Sequence, residues 1–382
     1  MKPFKVALFT GNYNHIRDGV SLTLNRLVKF LEDAGIEVLV FGPTIDEPAL
    51  EHQGRLIAVP SLSIPGRPEY RMSISLPRDA RIELEHFNPD IVHIATPDIL
   101  GFKALKWARR NEKTIVASYH THFPSYLKYY KLQFLEFAGW KYLKWFYSYC
   151  EQVFVPSPSM IETLKNNGIV GDLRIWARGV DTSLFSPDKR DETWREKYGF
   201  QQSDIIVTFV SRLVWEKNLK LYADTVKAVA GKNPDVKSLV VGDGPAMDGL
   251  RAMLPDAVYT GFLTGDELAA AYASSDIFLF PSDTETFGNV TLEAMTCGLP
   301  CIVADAIGSK SLVDNGENGY LVPVNQPEKF ADALQKLATS EELRKKMSIK
   351  SLEKSSLYSW DQINRQLLTY YTEVLNRNSG HL

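Results

Sequence analysis

The stretch Phe280-Pro281-Ser282-Asp283-Thr284-Glu285-Thr286-Phe287-Gly288-Asn289-Val290-Thr291-Leu292-Glu293 runs from an apolar segment into a helical pattern and carries two carboxylates eight residues apart. The sequence predicts a helix beginning near Phe287. Backbone N–H groups at a helix start have no internal partner and carry partial positive charge, so they favour a phosphate. Gly288 lets a ligand come close to the backbone. At about 1.5 Å per residue, eight helical residues span roughly 12 Å. That is on the order of the distance from a ribose across a diphosphate to an attached sugar. Glu285 and Glu293 could then accept hydrogen bonds from hydroxyls at opposite ends of such a ligand. The plainer alternative is one Glu that complements the helix dipole and one that is solvated or caps.

A second cluster is Ser211-Arg212-Leu213-Val214-Trp215-Glu216-Lys217-Asn218. Arg212 offers a planar fork to phosphate oxygens and Lys217 a point charge. A leaving diphosphate needs such cations as its charge builds. Alone, an Arg/Lys pair in a loop is more often a surface pair. A third cluster, Val241-Gly242-Asp243-Gly244-Pro245, lacks the third glycine of a dinucleotide fingerprint and reads as a tight strand-to-helix turn beside a nucleotide. The sequence contains no phosphate-loop G-x-x-x-x-G-K-[ST] motif. In the first half, Thr10-Gly11-Asn12-Tyr13-Asn14-His15-Ile16-Arg17-Asp18-Gly19 follows the first apolar run, where a loop covers a phosphate or an acceptor. The histidines of Ser118-Tyr119-His120-Thr121-His122-Phe123 have no carboxylate nearby to complete a metal site, so His120 reads as a polar group of a catalytic pocket or as structural.

These clusters require strand ends to hold them. Apolar runs predict strands at Val6–Thr10, Val38–Phe41, Ile91–Ile94, Thr114–Ser118, Val153–Pro156 and Leu173–Trp176, alternating with helical patterns at Ser21–Ala34, Phe102–Arg110 and Pro158–Asn167. The pattern restarts after the connector Phe185-Ser186-Pro187-Asp188. Strands follow at Ile205–Val210, Ser238–Gly242, Ile277–Pro281 and Pro300–Val303, with helices near Leu219–Val229, Gly265–Ala273, Val290–Thr296 and Lys329–Leu337. Such alternation means α/β architecture with parallel sheets covered on both faces. The reading is two doubly wound Rossmann-like domains, 1–187 and 188–358, facing a cleft, with a terminal helix 359–382 packing back on the first. Ligands bind outside the carboxyl ends of strands in open α/β sheets.

The chain has 382 residues, 45% hydrophobic and 23% charged, which excludes a disordered or fibrous protein and supports two cores. Cys150, Cys297 and Cys301 are too few for a disulfide framework, and the last two read as small core residues. The N-terminus lacks a secretory pattern, and no run of about 18 apolar residues occurs, so the expected location is cytoplasmic and peripheral at the inner membrane face. Residues 1–190 carry 24 Lys and Arg against 20 Asp and Glu, while residues 191–382 carry 19 against 26. Neither half has the basic excess of a nucleic-acid binder. Residues 123–149 hold 12 of the 43 aromatic residues, interleaved with Lys128, Lys131, Lys141 and Lys144. Lys with Trp and Tyr on an amphipathic helix suits an anionic headgroup interface, although aromatic stripes more often pack a core.

Taken together, Glu285-x7-Glu293, Arg212 with Lys217, Gly242-Asp243-Gly244-Pro245, Tyr119-His120-Thr121 and Arg178-Gly179-Val180-Asp181 resemble glycosyltransferase family 4, retaining enzymes of GT-B fold. The resemblance runs from Lys5 to Trp360. Met72–Pro77 and Ser118–Pro124 are most similar to sulfoquinovosyl diacylglycerol synthases and bacterial lipid mannosyltransferases. The resemblance implies a nucleotide-diphosphate sugar donor (GDP-mannose or a UDP-sugar), a lipid acceptor such as diacylglycerol held by the first domain, and no metal or other cofactor. It implies that Arg212 and Lys217 bind the diphosphate and that Glu293 binds the ribose. Glu285 and the backbone at Phe287 and Gly288 hold the hexose, His120 lies beside the reacting sugar, and Gly19 admits the phosphate. Gly244 and Phe262 lie by the nucleotide, with base recognition near Thr260-Gly261-Phe262. Where many members carry paired glycines, this chain has Asp305-Ala306-Ile307-Gly308-Ser309.

The donor base, hexose, acceptor, linkage and oligomeric state stay open. Rival readings are a soluble or polysaccharide-precursor acceptor, a nucleotide-sugar epimerase, a phosphorylase, a nicotinamide-dependent oxidoreductase, and a non-catalytic nucleotide-sugar-binding protein.

Overall fold

A computed structural model of the chain describes residues 4–64, 67–119, 136–285 and 287–379. The chain forms two units, one running to Ala177 and resuming at Trp360, the other Arg178–Ser359.

The first unit contains β1 (Lys5–Phe9), α1 (Gly19–Asp33), β2 (Glu37–Gly42), β3 (Arg55–Ala58), β4 (Ser61–Ile64), β5 (Arg67–Ser73), α2 (Arg78–Phe87), β6 (Ile91–Ile94), α3 (Ile99–Arg110), β7 (Thr114–Ser118), α4 (Glu136–Tyr147), β8 (Gln152–Val155), α5 (Pro158–Asn166) and β9 (Leu173–Ile175). Seven strands form a parallel sheet in the order β3-β2-β1-β6-β7-β8-β9. Its central strands are apolar at nearly every position because helices cover both faces. Helix starts are set by capping side chains. Asp18 accepts from Val20 and Ser21 in a reciprocal box at α1, Asp98 accepts from Gly101 at α3, and Ser157 accepts from Met160 at α5. Each such cap is worth about 1 kcal/mol.

The second unit contains α6 (Glu192–Lys197), β10 (Ile205–Val210), α7 (Leu219–Ala230), β11 (Val236–Val241), α8 (Met247–Met253), β12 (Val258–Gly261), α9 (Gly265–Ala273), β13 (Ile277–Phe280), α10 (Asn289–Thr296), β14 (Cys301–Ala304), β15 (Gly319–Val322), α11 (Pro327–Thr339) and α12 (Glu341–Ser355). Its six parallel strands run β12-β11-β10-β13-β14-β15. Phe209, Phe278 and Phe280 fill its centre, with Tyr222 and Tyr272 against them. Arg195, 1% exposed, donates to the carbonyls of Ser274 (2.9 Å) and Asp204 (2.7 Å) and pairs with Asp276 at 3.3 Å. A buried charge is tolerable only with such partners.

The last helix, α13 (Trp360–Ser379), belongs to the first unit. Leu367, Tyr371 and Val374 lie in the same core as Val6, Leu24 and Leu31. His93, in the middle of β6 and fully buried, bonds Tyr371 Oη at 2.6 Å through Nδ1 and Ser118 Oγ at 2.5 Å through Nε2. Burial drives its pKa down to about 3, so the ring is neutral. One side chain thus ties two strands to the returning helix.

Most strands predicted from apolar runs form within a residue or two of their expected bounds. The runs missed β3, the β4–β5 hairpin, β12 and β15, which carry Gly, Ser or Arg at positions that a buried strand would fill with Val or Ile.

Candidate functional site

In the second unit the chain runs outward from β10 to β11 and β12, then returns to lay β13 on the other side of β10. The loops leaving β10 and β13 therefore diverge and open a crevice at the carboxyl edge of the sheet, the place where open α/β sheets bind ligands. Arg212, Lys217, Glu285, Phe287 and Gly288 all lie on these two loops. Gly244 and Phe262 lie on the neighbouring loops after β11 and β12.

Lys217 Nζ meets Glu285 Oε1 at 2.5 Å across this crevice, and both side chains are mostly buried, at 17% and 23% exposure. Thr284 Oγ1 accepts from the same ammonium at 3.2 Å, and Ser282 Oγ reaches Glu285 Oε1 at 3.4 Å. Asn218, in a left-handed conformation at φ +56°, donates to the carbonyl of Pro281 at 2.9 Å and locks the two loops together. Arg212 is exposed, and among the described residues its guanidinium has no acidic partner. One cation is thus already paired and the other is available to an anion.

Helix α10 begins at Asn289, just after the Phe287 near which the sequence places its start, with Gly288 as its N-cap at φ +95°. The 12 Å spacing inferred for Glu285 and Glu293 is corrected accordingly. Glu285 precedes the helix, and only the residues from Asn289 to Glu293 rise along it. Glu293 accepts from Tyr272 Oη at 3.0 Å. Burial, then the Glu293 charge, raises the Tyr272 pKa well above its ordinary value, so the phenol keeps its proton and donates. Phe287 is buried against Tyr358, with ring centroids 5.8 Å apart, so its backbone rather than its ring is at hand for a ligand. Phe262 is 76% exposed.

The glycines of Gly242-Asp243-Gly244 have a packing reason. A Cβ at Gly242 would stand 1.9 Å from Ser211 O, and one at Gly244 would stand 2.4 Å from Leu213 O. The backbones cross there, with Ser211 N bonded to Val241 O at 3.1 Å and Leu213 N to Asp243 O at 2.9 Å. That crossing aims the loop that bears Arg212 and Lys217. A residue the sequence reading left without a role, Gly308, acts on the facing loop. Its N–H donates to Glu285 O at 3.1 Å, and a Cβ there would lie 2.7 Å from that oxygen and 2.9 Å from Phe287 N. Its signal was the lone glycine kept within Asp305-Ala306-Ile307-Gly308-Ser309.

In the first unit the same reversal falls between β1 and β6. Gly11 N donates to Thr96 Oγ1 at 2.9 Å there, joining the two loops. Gly19 opens α1 beside its cap Asp18, whose Oδ2 also accepts from Asn12 at 2.9 Å. His120 lies outside the described residues, as do residues 121–135 of the aromatic and lysine stretch. In its described part, α4 buries Leu143, Phe146 and Tyr147 and leaves Phe137 79% exposed. Arg178-Gly179-Val180-Asp181 serves as an anchor: Val180 N donates to Tyr358 O at 2.8 Å, and Asp181 accepts from Ser183.

Family models bear on this geometry. Residues 190–354 match the model described as glycosyl transferases group 1, and residues 17–184 match that of glycosyltransferase family 4. The chain is 31% identical to a GDP-mannose-dependent alpha-mannosyltransferase of Corynebacterium glutamicum, over 98% of this chain and 90% of that protein. It is also 31% identical to the sulfoquinovosyl transferase SQD2 of Arabidopsis thaliana, over 94% and 71%. An alpha-monoglucosyldiacylglycerol synthase of Streptococcus pneumoniae is 26% identical over 78% and 70%. Among solved structures, sucrose-phosphate synthase from Thermosynechococcus elongatus superposes with a TM-score of 0.77 at 20% identity, covering 98% of this chain and 100% of that one.

Proposed function

The chain belongs to glycosyltransferase family 4 and has the GT-B fold, and on that premise we propose that it is a retaining hexosyltransferase that carries a hexose from GDP-mannose or a UDP-sugar to a hydroxyl of a lipid such as diacylglycerol, at the cytoplasmic face of a membrane. The observation that carries this reading is the Lys217–Glu285 pair between the β10 and β13 loops, with Arg212 exposed on the first of these loops and the start of α10 following the second. The lipid acceptor is supported by the diacylglycerol synthase among the relatives, and mannose by the mannosyltransferases.

The charges supply the mechanism. Arg212 and the free N–H groups at the start of α10 take the diphosphate, and Lys217 turns from Glu285 toward the leaving oxygen. Glu285, released from its pair, accepts a hexose hydroxyl. Glu293, oriented by Tyr272, accepts from the ribose. As the glycosidic bond breaks, the anomeric carbon gains oxocarbenium character, and the departing phosphate oxygen takes the proton of the attacking hydroxyl on the same face. His120 bonds the reacting sugar or the acceptor. No metal or other cofactor enters these steps.

The test is a panel of nucleotide-diphosphate sugars, read first by thermal shift, since a ligand that binds only the native state raises its melting point. The bound donor is then incubated with diacylglycerol in mixed micelles, and the glycolipid is analysed for anomeric configuration. An inverted product would end the retaining assignment. A donor that binds and yields only free sugar or an epimer would end the transferase reading for lipids.

A further inference from the structure

Beyond the ends of β2 and β3 the first unit has a cleft of about 500 Å³, a volume suited to a small molecule. Thr44 lines it just after β2, Pro60 just after β3, Arg71 from β5, and Asp79 and Glu83 from α2. The cleft therefore lies at the carboxyl edge of the parallel sheet, the edge that also carries the loops of β1 and β6. Neighbouring strands are about 4.8 Å apart, so β3 stands roughly 10 Å from β1.

The polar groups of this cleft are held in place with bonding capacity left over. Arg71 donates through Nε to Ser61 Oγ at 2.8 Å and through Nη2 to Ser61 O at 3.0 Å. Those two bonds fix the guanidinium, and Nη1 has no partner among the described residues. Glu83 Oε2 pairs with Arg55 at 2.6 Å, which pins that carboxylate and leaves Oε1 without a bond among the described residues. Asp79 stands in the first turn of α2 and bonds no described side chain. Arg71 and Asp79 thus line one cleft without pairing with each other.

The donor set selects a ligand class. Arg71 offers only donors, and Asp79 and Glu83 offer only acceptors. A phosphate or carboxylate would suit Arg71 but meet a like charge in Asp79, and an ammonium would meet the reverse conflict. Glu83 is offset by Arg55, and the remaining charges of Arg71 and Asp79 cancel, so a neutral ligand suits the site. A hydroxyl both donates and accepts. A ring of hydroxyls can serve all three side chains at once, with its C–H face against Ile57, Val59 and Ala80 of the same cleft.

We infer that this cleft holds a neutral sugar unit of the acceptor, so that the preferred acceptor already carries a glycosyl head. The inference rests on the transferase reading and narrows its acceptor. Arg71 and Asp79 bind that unit as positioning residues, about two strands away from the loops of β1.

The experiment uses the full chain with methyl α-D-glucopyranoside and methyl α-D-mannopyranoside, and with methyl glucuronide as the anionic counterpart, read by saturation-transfer NMR. A neutral glycoside should bind, should keep binding when GDP or UDP saturates the donor site, and should bind more tightly than the glucuronide. D79N and R71Q should each weaken it about tenfold. V170S, at a residue 73% exposed elsewhere on the same unit, should bind as the wild type does. Melting temperature and thermal shift by the donor, measured on every variant, verify the fold. In mixed micelles a monoglycosyl diacylglycerol should show a lower KM than diacylglycerol, and D79N should raise that KM about tenfold while leaving the KM for diacylglycerol in place. Absence of glycoside binding, its loss under GDP or UDP, wild-type affinity in both D79N and R71Q, tighter binding of the glucuronide, or equal KM values for the two lipids would overturn the inference. Glycoside binding that responds to D79N in a protein that binds no nucleotide-sugar donor would instead count against the transferase reading.

Discussion

Lys217 and Glu285 close on each other at 2.5 Å over the point where the strand order of the second sheet reverses. They come from loops 68 positions apart in the chain, and each neutralises a charge that a sugar donor would use. The pair satisfies two mostly buried charges, and in the proposed mechanism the donor exchanges it for its own contacts. Glu285→Gln removes the competing carboxylate and frees the ammonium. The variant should bind a nucleoside diphosphate more tightly, by about 1 kcal/mol or more, because a partly buried ion pair no longer has to be broken. It should also transfer sugar at least tenfold more slowly, because an amide is a poorer acceptor for the hexose hydroxyl. Calorimetry with the diphosphate and initial rates with the full donor measure the two effects; a change of both in the same direction would count against the exchange.

Arg212 is exposed and has no acidic partner among the described residues. Its loss should therefore change stability by no more than about 0.5 kcal/mol. In the proposed mechanism its fork meets the charge that grows on the leaving diphosphate, so Arg212→Ala should lower turnover by at least about a hundredfold. A melting temperature near that of the wild type together with wild-type kcat/KM would remove the diphosphate assignment.

Gly308 has an ordinary backbone conformation but no room for a methyl group, since a Cβ would stand 2.7 Å from Glu285 O. Neither neighbour is the end of a flexible side chain. Gly308→Ala must push the Glu285 loop aside, at a cost of about 1–3 kcal/mol. The expected signature is a raised KM for the donor and a lower kcat, with the unit still folded by circular dichroism. Full activity at normal stability would show that the loop does not need this contact.

His93 is neutral in the native protein, its pKa pushed down to about 3 by burial. In the unfolded chain it titrates near its ordinary value of about 6.5. Between these values the unfolded state holds the extra proton, so stability rises with pH through the window and is lost as pH falls below about 6.5. The contribution is up to about 1.4 kcal/mol per pH unit. In His93→Leu that slope disappears, and the stability gap to the wild type should narrow by roughly 2 kcal/mol between pH 7 and pH 5. Tyr371→Phe, which strips the 2.6 Å bond from Nδ1, should destabilise by about 1–3 kcal/mol while leaving the slope in place. Parallel urea-unfolding curves for wild type and His93→Leu would contradict the buried neutral ring.

The strand ends that bear Arg212, Lys217 and Glu285 were legible in the residues themselves. Ile205–Val210 and Ile277–Phe280 are unbroken apolar runs, and parallel strands buried on both faces admit little else. The polar loops that follow them could be read as chemistry because nothing in a buried sheet requires Arg, Lys or Glu at its carboxyl edge. The Lys217–Glu285 pairing was not legible, because it depends on β13 lying beside β10 rather than beyond β12. The reasons for Gly242, Gly244 and Gly308 were hidden too. Each glycine answers to a backbone that reaches it from another part of the chain, and no local pattern records how closely two distant segments will approach. The β4–β5 hairpin shows the same limit, since no local pattern says that its opposed Leu62 and Met72 stay exposed while Ser73 is buried. Types and periods along the chain set which elements form, because those preferences are local; partners and facing directions were decided only when the sheets were assembled, because they depend on strand order in space.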